Sequence, residues 1–105
     1  TEAVVHRLPN LRAVEAFVKQ GVPVVVSVAF GRGQLSGAPI TSTPGHLIVV
    51  RGFTSTGAVI VNDPAGRTNG AVKRTYDRAQ FERAWLRGSG GVAYVIAPTA
   101  KGLTF

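Results

Sequence analysis

An α+β domain resting on an antiparallel sheet is the fold class this sequence predicts, and three observations predict it. Two apolar runs, GHLIVVRGF and AVIVNDP, flank the short polar turn TSTG, which is a hairpin signal. Two segments with apolar residues at helical spacing, each opened by a capping residue, lie far apart in the chain near Asn10 and Asp77. The elements follow one another as helix, strand, loop, three strands, helix and strand, without the regular alternation of strand and helix that builds a parallel sheet.

Each element has its own local cause. Pro9-Asn10 offers an N-cap, Leu11, Val14, Phe17 and Val18 form an apolar stripe, and Gly21 supplies a stop, so the first helix runs about ten residues. Val22 to Phe30 (VPVVVSVAF) is β-branched and continuous, which predicts a strand buried on both faces with Pro23 at its start. Gly31 to Gly45 holds four glycines and two prolines and reads as a long loop, a kind that in compact domains tends to carry function. After the hairpin, Pro64 to Gly70 reads as a loop and Ala71 to Thr75 as a strand. Asp77 then opens a helix with Gln80 in capping-box position, and Tyr76 and Phe81 are spaced for a hydrophobic staple. Phe81, Trp85 and Leu86 make its buried stripe and Gly88 ends it. Gly91 to Ala97 (GVAYVIA) is a last strand and Pro98 to Phe105 a tail.

Composition bounds the function classes. At 105 residues, 45% hydrophobic and 16% charged, the chain makes one packed domain rather than a disordered segment. Twelve Lys and Arg against five Asp and Glu leave a net charge of +7, yet the basic residues fall mostly singly. The denser stretch from Lys73 to Arg87 includes a helix whose basic residues form a solvated face, and its aromatics read as core or staple positions rather than a stacking platform, so no specific nucleic-acid partner is expected. No apolar run approaches the roughly 20 residues that span a bilayer, and no charged-then-apolar leader opens the chain. A chain with no Met that starts at Thr1 reads as a processed or excised piece. Zero cysteines exclude a disulfide, a thiolate metal site and a cysteine nucleophile on this polypeptide. Two distant histidines and few carboxylates leave no metal site in view, and no cofactor motif is present. Gly31-Arg32-Gly33 and Gly88-Ser89-Gly90-Gly91 lack the lysine or the spacing of a phosphate loop. His6 reads as a lone exposed histidine.

One constellation carries chemistry. A turn centred on Ser55 and Thr56 pairs Phe53 with Ala58, which sets Val50 opposite Val61, Ile48 opposite Asp63 and His46 opposite Ala65. His46 and Asp63 are then diagonal neighbours on one face of the sheet, about 7–8 Å apart at the backbone, a gap two polar side chains can bridge. An imidazole beside a carboxylate is two-thirds of a nucleophilic triad: a general base, and the group that fixes its tautomer through the ring's proximal nitrogen. The same residues also fit a plainer role, His46 as a strand-end histidine bonded locally and Asp63 as the turn-former of Asn62-Asp63-Pro64. A serine nucleophile finds no G-x-S-x-G elbow; the hydroxyls at Thr41, Ser42 and Thr43 lie in the loop before the histidine.

GHLIVVRGF, GAVIVNDPAG, VKRTYDRAQFERAW and GGVAYVI resemble the C-terminal portion of papain-like cysteine peptidases of the bacteriocin-processing type, in a branch of stand-alone, often exported bacterial proteins. The likeness runs from LPNLRAVEAFVKQGVPVVVSVAF to the last strand, and its most specific parts are Gly45-His46 opening a strand and Asn62-Asp63-Pro64 closing the next. The resemblance implies a papain-like fold, with residues 1–105 as the C-terminal sheet half of a single peptidase domain carrying two helices. It makes His46 the catalytic base and Asp63 its orienting carboxylate, with Gly45 letting a substrate backbone approach. It places the nucleophilic cysteine and the oxyanion-hole glutamine upstream, on an N-terminal helical portion of the same precursor to which nothing in this sequence corresponds. The implied partners are that portion and a peptide substrate; the implied location is secreted or extracytoplasmic. A sheet apolar on both faces suits the arrangement, its own helices covering one side and another body the other. The alternative is a papain-like binding module that has lost its nucleophile.

Overall fold

The computed structural model describes residues 2–66 and 72–97. They form β1 (Glu2–Arg7), α1 (Leu11–Lys19), β2 (Val24–Phe30), β3 (Thr43–Phe53), β4 (Val59–Asn62), β5 (Lys73–Tyr76), α2 (Arg78–Ser89) and β6 (Val92–Ala97). The strands make one six-stranded sheet in the order β1-β6-β2-β3-β4-β5, antiparallel at every pairing. The α+β expectation and its antiparallel sheet with two helices hold. The expected tail from Pro98, and Arg67 to Gly70 of the expected loop, lie outside the described residues, as does Ala71 of the expected strand.

The helix caps follow local chemistry. The Asn10 side chain accepts from the Ala13 N–H, and the Asp77 side chain accepts from the Gln80 N–H. A longer-range cap joins the two helices: Glu82 of α2 accepts from the Leu11 N–H of α1 at 2.8 Å. Leu11, Val14 and Phe17 from α1, with Phe81, Ala84 and Trp85 from α2, share one core with Val24, Val26, Val28, Ile48, Val50, Val59, Val61 and Val95 of the sheet. The Trp85 indole N–H donates to the Val92 carbonyl at 2.9 Å, so this large core ring leaves no polar atom stranded.

Several expectations need correction. Glu2–Arg7 is a strand that no sequence signal announces, and His6 on it is half-buried rather than exposed, its ring 5.6 Å from that of Phe17. β2 is not buried on both faces: burial alternates residue by residue, and the face carrying Val25 and Ser27 is half-exposed. β3 begins at Thr43, so Gly45-His46 lies inside a strand rather than opening one. The hairpin turn pairs Phe53 with Val59, not Ala58, because the Thr54 N–H bonds the Ala58 carbonyl and Gly57 takes φ +90°. Gly88 does not end α2; the helix runs to Ser89 and is closed by Gly90 in the left-handed conformation. Gly88 serves packing instead, since a Cβ there would run into the backbone N of Ala29 and sit 2.9 Å from the carbonyl carbon of Val28.

The expected loop is shorter and firmly held. Between Phe30 and Thr43 the buried Leu35 plugs the core, the Gln80 side chain accepts from the Ser36 N–H at 2.9 Å, and Arg74 donates to the Gly37 carbonyl. Side chains from α2 and β5 therefore fix the segment that leads into His46.

Candidate active site

His46 reaches its place through strand pairing. It sits opposite Val28 on β3, two residues from Ile48 opposite Val26, and thus shares the core face of the sheet. Asp63 follows β4 directly. Its own N–H donates to the Val72 carbonyl at 2.7 Å and its carbonyl accepts from the Gly66 N–H at 3.0 Å, so the backbone around it is pinned on both sides.

The register between β3 and β4 decides whether the two side chains meet. Near the turn, Phe53 faces Val59 and Gly52 faces Ile60; past a bulge at Arg51, Val50 faces Val61 and Val49 faces Asn62. Carried on from the turn without that extra residue, the ladder would set Asp63 against Val49, on the face away from His46. The bulge returns both residues to one face, where Nε2 of His46 lies 2.6 Å from Oδ1 of Asp63. The sequence-level pairing of Val50 with Val61 is observed, although the turn from which it was counted is not.

Asp63 is the only polar or charged residue buried among the described residues, at 1% exposure, while the His46 side chain keeps 17%. Burial alone would push the carboxyl up. Hydrogen bonds from His46, from the Ala65 N–H to Oδ1 at 3.0 Å and from the Tyr76 hydroxyl to Oδ2 at 2.8 Å, with the charge of His46, outweigh it and hold Asp63 below its ordinary value. It is a buried carboxylate, not a buried acid. Burial and the same contact with Asp63 push the Tyr76 hydroxyl far up, so Tyr76 stays a neutral donor.

The carboxylate engages Nε2, the distal ring nitrogen, and not the proximal one that triad geometry had led us to expect. An ionised Asp63 accepts only, so Nε2 carries a proton, and in the neutral ring the lone pair is the one on Nδ1. No hydrogen bond reaches Nδ1 among the described residues. The imidazole is thus set up to take or give a proton at Nδ1, backed by a fixed anion.

Gly45 is exposed, one residue before His46, and a Cβ built on it meets nothing within 4 Å. Its N–H is held by the Thr43 hydroxyl, which in turn donates to the Gly45 carbonyl. Tyr76 stacks on Phe81 at 5.9 Å, as the staple spacing predicts, and its hydroxyl also completes the Asp63 site. Thirteen residues and a strand crossing separate it from Asp63, and only the burial of a tyrosine with a polar tip hinted that it needed a partner. No group of three or more metal-ligating side chains occurs among the described residues. Nor is any helix there long and apolar enough to cross a membrane.

A model of the Peptidase_C39 like family matches residues 4–92. No curated protein sequence matches the chain. Among solved structures, the crystal structure of a protein described as a C39-like peptidase from Bacillus anthracis superposes with a TM-score of 0.64 at 18% identity, over 91% of this chain and 52% of that one. The likeness in fold is close, and the chain spans about half the length of that neighbour.

Proposed function

We propose, from the premise that this chain belongs to the Peptidase_C39 like family, that it is the general-base part of a cysteine peptidase. In this reading residues 1–105 are the C-terminal part of a single papain-like domain, and the N-terminal portion of the same precursor brings the nucleophilic cysteine and the oxyanion-hole glutamine. The observation that carries the reading is the 2.6 Å contact between Nε2 of His46 and the buried, ionised Asp63.

The chemistry follows from which nitrogen is free. The upstream thiol gives its proton to Nδ1, forming a thiolate and an imidazolium that Asp63 stabilises. The thiolate attacks the carbonyl of a peptide bond, and Nδ1 returns the proton to the departing amine as the C–N bond breaks. Water then attacks the thioester with Nδ1 as base, releasing the acid and regenerating the thiol. The sulfur must come within hydrogen-bond reach of Nδ1, so the N-terminal portion borders the end of the sheet that holds His46. Gly45, open and next to that end, leaves room for an extended substrate. A secreted or extracytoplasmic location belongs to the same proposal, supported by the exported branch that the sequence resembles.

The test uses the full-length gene product. One thiol should react stoichiometrically with iodoacetamide, and intact-mass analysis of purified material should show the Cys-bearing portion held with this chain. His46→Ala should abolish turnover of a peptide substrate while the variant still folds, its circular-dichroism spectrum that of the wild type and its melting transition lowered by the lost bond to Asp63. A full-length product without cysteine, or one whose His46→Ala variant keeps wild-type turnover, overturns the reading and leaves a papain-like binding module.

A further inference from the structure

We infer that Tyr76 is a positioning residue of the proposed site, its buried hydroxyl holding Oδ2 of Asp63 so that Oδ1 stays aimed at Nε2 of His46. The inference rests on the peptidase reading and adds a further member to the machinery, one supplied by β5.

The argument begins with what a lone aspartate would do. Rotation about its terminal bond is soft and nearly two-fold, so a carboxylate held at one oxygen can swing or exchange oxygens. Here the two oxygens have separate duties. Oδ1 accepts from His46 at 2.6 Å and from the Ala65 N–H at 3.0 Å, and Oδ2 accepts from the Tyr76 hydroxyl at 2.8 Å. Three donors from three directions leave one orientation of the carboxylate plane, and that orientation faces the imidazole.

The donor is as fixed as the acceptor. Tyr76 is 1% exposed, its ring stacked on Phe81, and its backbone paired with Val59 in the β4–β5 ladder. A neutral hydroxyl gives a hydrogen bond without adding a positive charge that would compete with His46 for the carboxylate. Around this pair the titratable or charged groups that act are His46 from β3 on Asp63 and Arg74, two residues back on β5, on Tyr76. Without the hydroxyl, Oδ2 would be a buried acceptor with nothing to accept, which favours either protonation of Asp63 or its rotation away from His46. Both outcomes loosen the tautomer that keeps Nδ1 a base.

The hydroxyl can be removed while the ring stays. Tyr76→Phe in this chain should shift the carboxyl titration of Asp63 upward, read by carbon-detected NMR, and should broaden or move the imidazole nitrogen signals of His46. Replacement of Tyr76 by 3-fluorotyrosine, a stronger donor of the same shape, should move Asp63 the other way. In the full-length protein Tyr76→Phe should lower kcat roughly tenfold with KM nearly unchanged, the scale of one hydrogen bond to a charged group. A Tyr76→Phe protein that melts earlier but leaves the Asp63 titration and the His46 signals as in wild type overturns the inference, because the hydroxyl then serves stability alone. Should Tyr76→Phe fail to fold, the 3-fluorotyrosine protein decides by the same two signals. Wild-type full-length protein without turnover overturns the peptidase reading and the catalytic role with it. An unmoved Asp63 signal refutes the hold of Tyr76 by itself.

Discussion

Replacing Asp63 by Asn keeps the size of the side chain and removes its charge, and the structure sets how much this costs. The carboxylate accepts three hydrogen bonds at 2.6, 3.0 and 2.8 Å. An asparagine oxygen can keep the two at Oδ1, but its NH2 meets the Tyr76 hydroxyl as a second donor, so one bond is lost or reversed and the others become bonds to a neutral acceptor. Charge-assisted bonds are worth about 1.5–3 kcal/mol and neutral ones about 0.5–1.5, while relief from burying a charge offsets part of the difference. The net is a loss of about 2 kcal/mol at pH 7, which for a domain of this size lowers Tm by about 10 °C. The pH dependence gives the sharper check. A carboxyl held below its ordinary value of 3.8 contributes stability that is fully present above that value and is lost as pH falls through the lower, folded one. Urea melts from pH 7 down to pH 2.5 should therefore show the wild-type and Asp63→Asn curves converging in the acid range, with the variant flatter. Curves that stay parallel down to pH 2.5, or a variant more stable than wild type at pH 7, would refute the claim that folding favours the carboxylate.

Two other substitutions probe how the site is carried by the fold. Gly88→Ala should destabilise by about 1–3 kcal/mol despite the roughly 1 kcal/mol that Ala gains in a helix, because its Cβ meets the backbone of Ala29 and Val28 and backbone cannot swing aside. Since Val28 faces His46 in the sheet, the His46 ring signals should shift in the NMR spectrum of the same variant; a Gly88→Ala protein as stable as wild type would contradict the contact. Glu82→Ala should cost about 1 kcal/mol by leaving the first turn of α1 without its acceptor, and amide exchange should speed up at Leu11 in particular.

What could be read from the sequence was local. Asn10 and Asp77 cap the helices within three residues of themselves, and both caps are where the sequence puts them. The hairpin was legible because two apolar runs flanking a short polar turn suffice to bring two strands together. β1 was not: its two central valines are 41% and 61% exposed and so announce no buried face, and its partner β6 lies far along the chain. Gly88 looked like a helix stop because helix propensity is a local quantity, whereas the reason for a glycine there is the backbone of β2. The link from Tyr76 to Asp63 and that from Glu82 to Leu11 are tertiary bonds between residues that carry other plausible local roles, and those roles masked them.

The contact between His46 and Asp63 shows how a local error and a tertiary feature can cancel. Counting from an assumed Phe53–Ala58 pair gives a ladder one residue off at the turn, yet right at the site, because the bulge at Arg51 absorbs the same single residue further along β3. Strand alternation makes such a slip all-or-none: an odd shift moves Asp63 to the opposite face and no side-chain rotation recovers the bond. The hairpin is thus free to close with the turn that Gly57 favours while a defect placed midway restores the parity the site needs. The same physics explains why the carboxylate reaches the distal nitrogen. His46 lies on a strand and Asp63 just past the end of its neighbour, and it is Nε2, the ring nitrogen further from the backbone, that meets the carboxylate across this diagonal. The free nitrogen is then Nδ1, the one nearer the backbone of β3, and in the proposed mechanism the thiol has to come within hydrogen-bond reach of it.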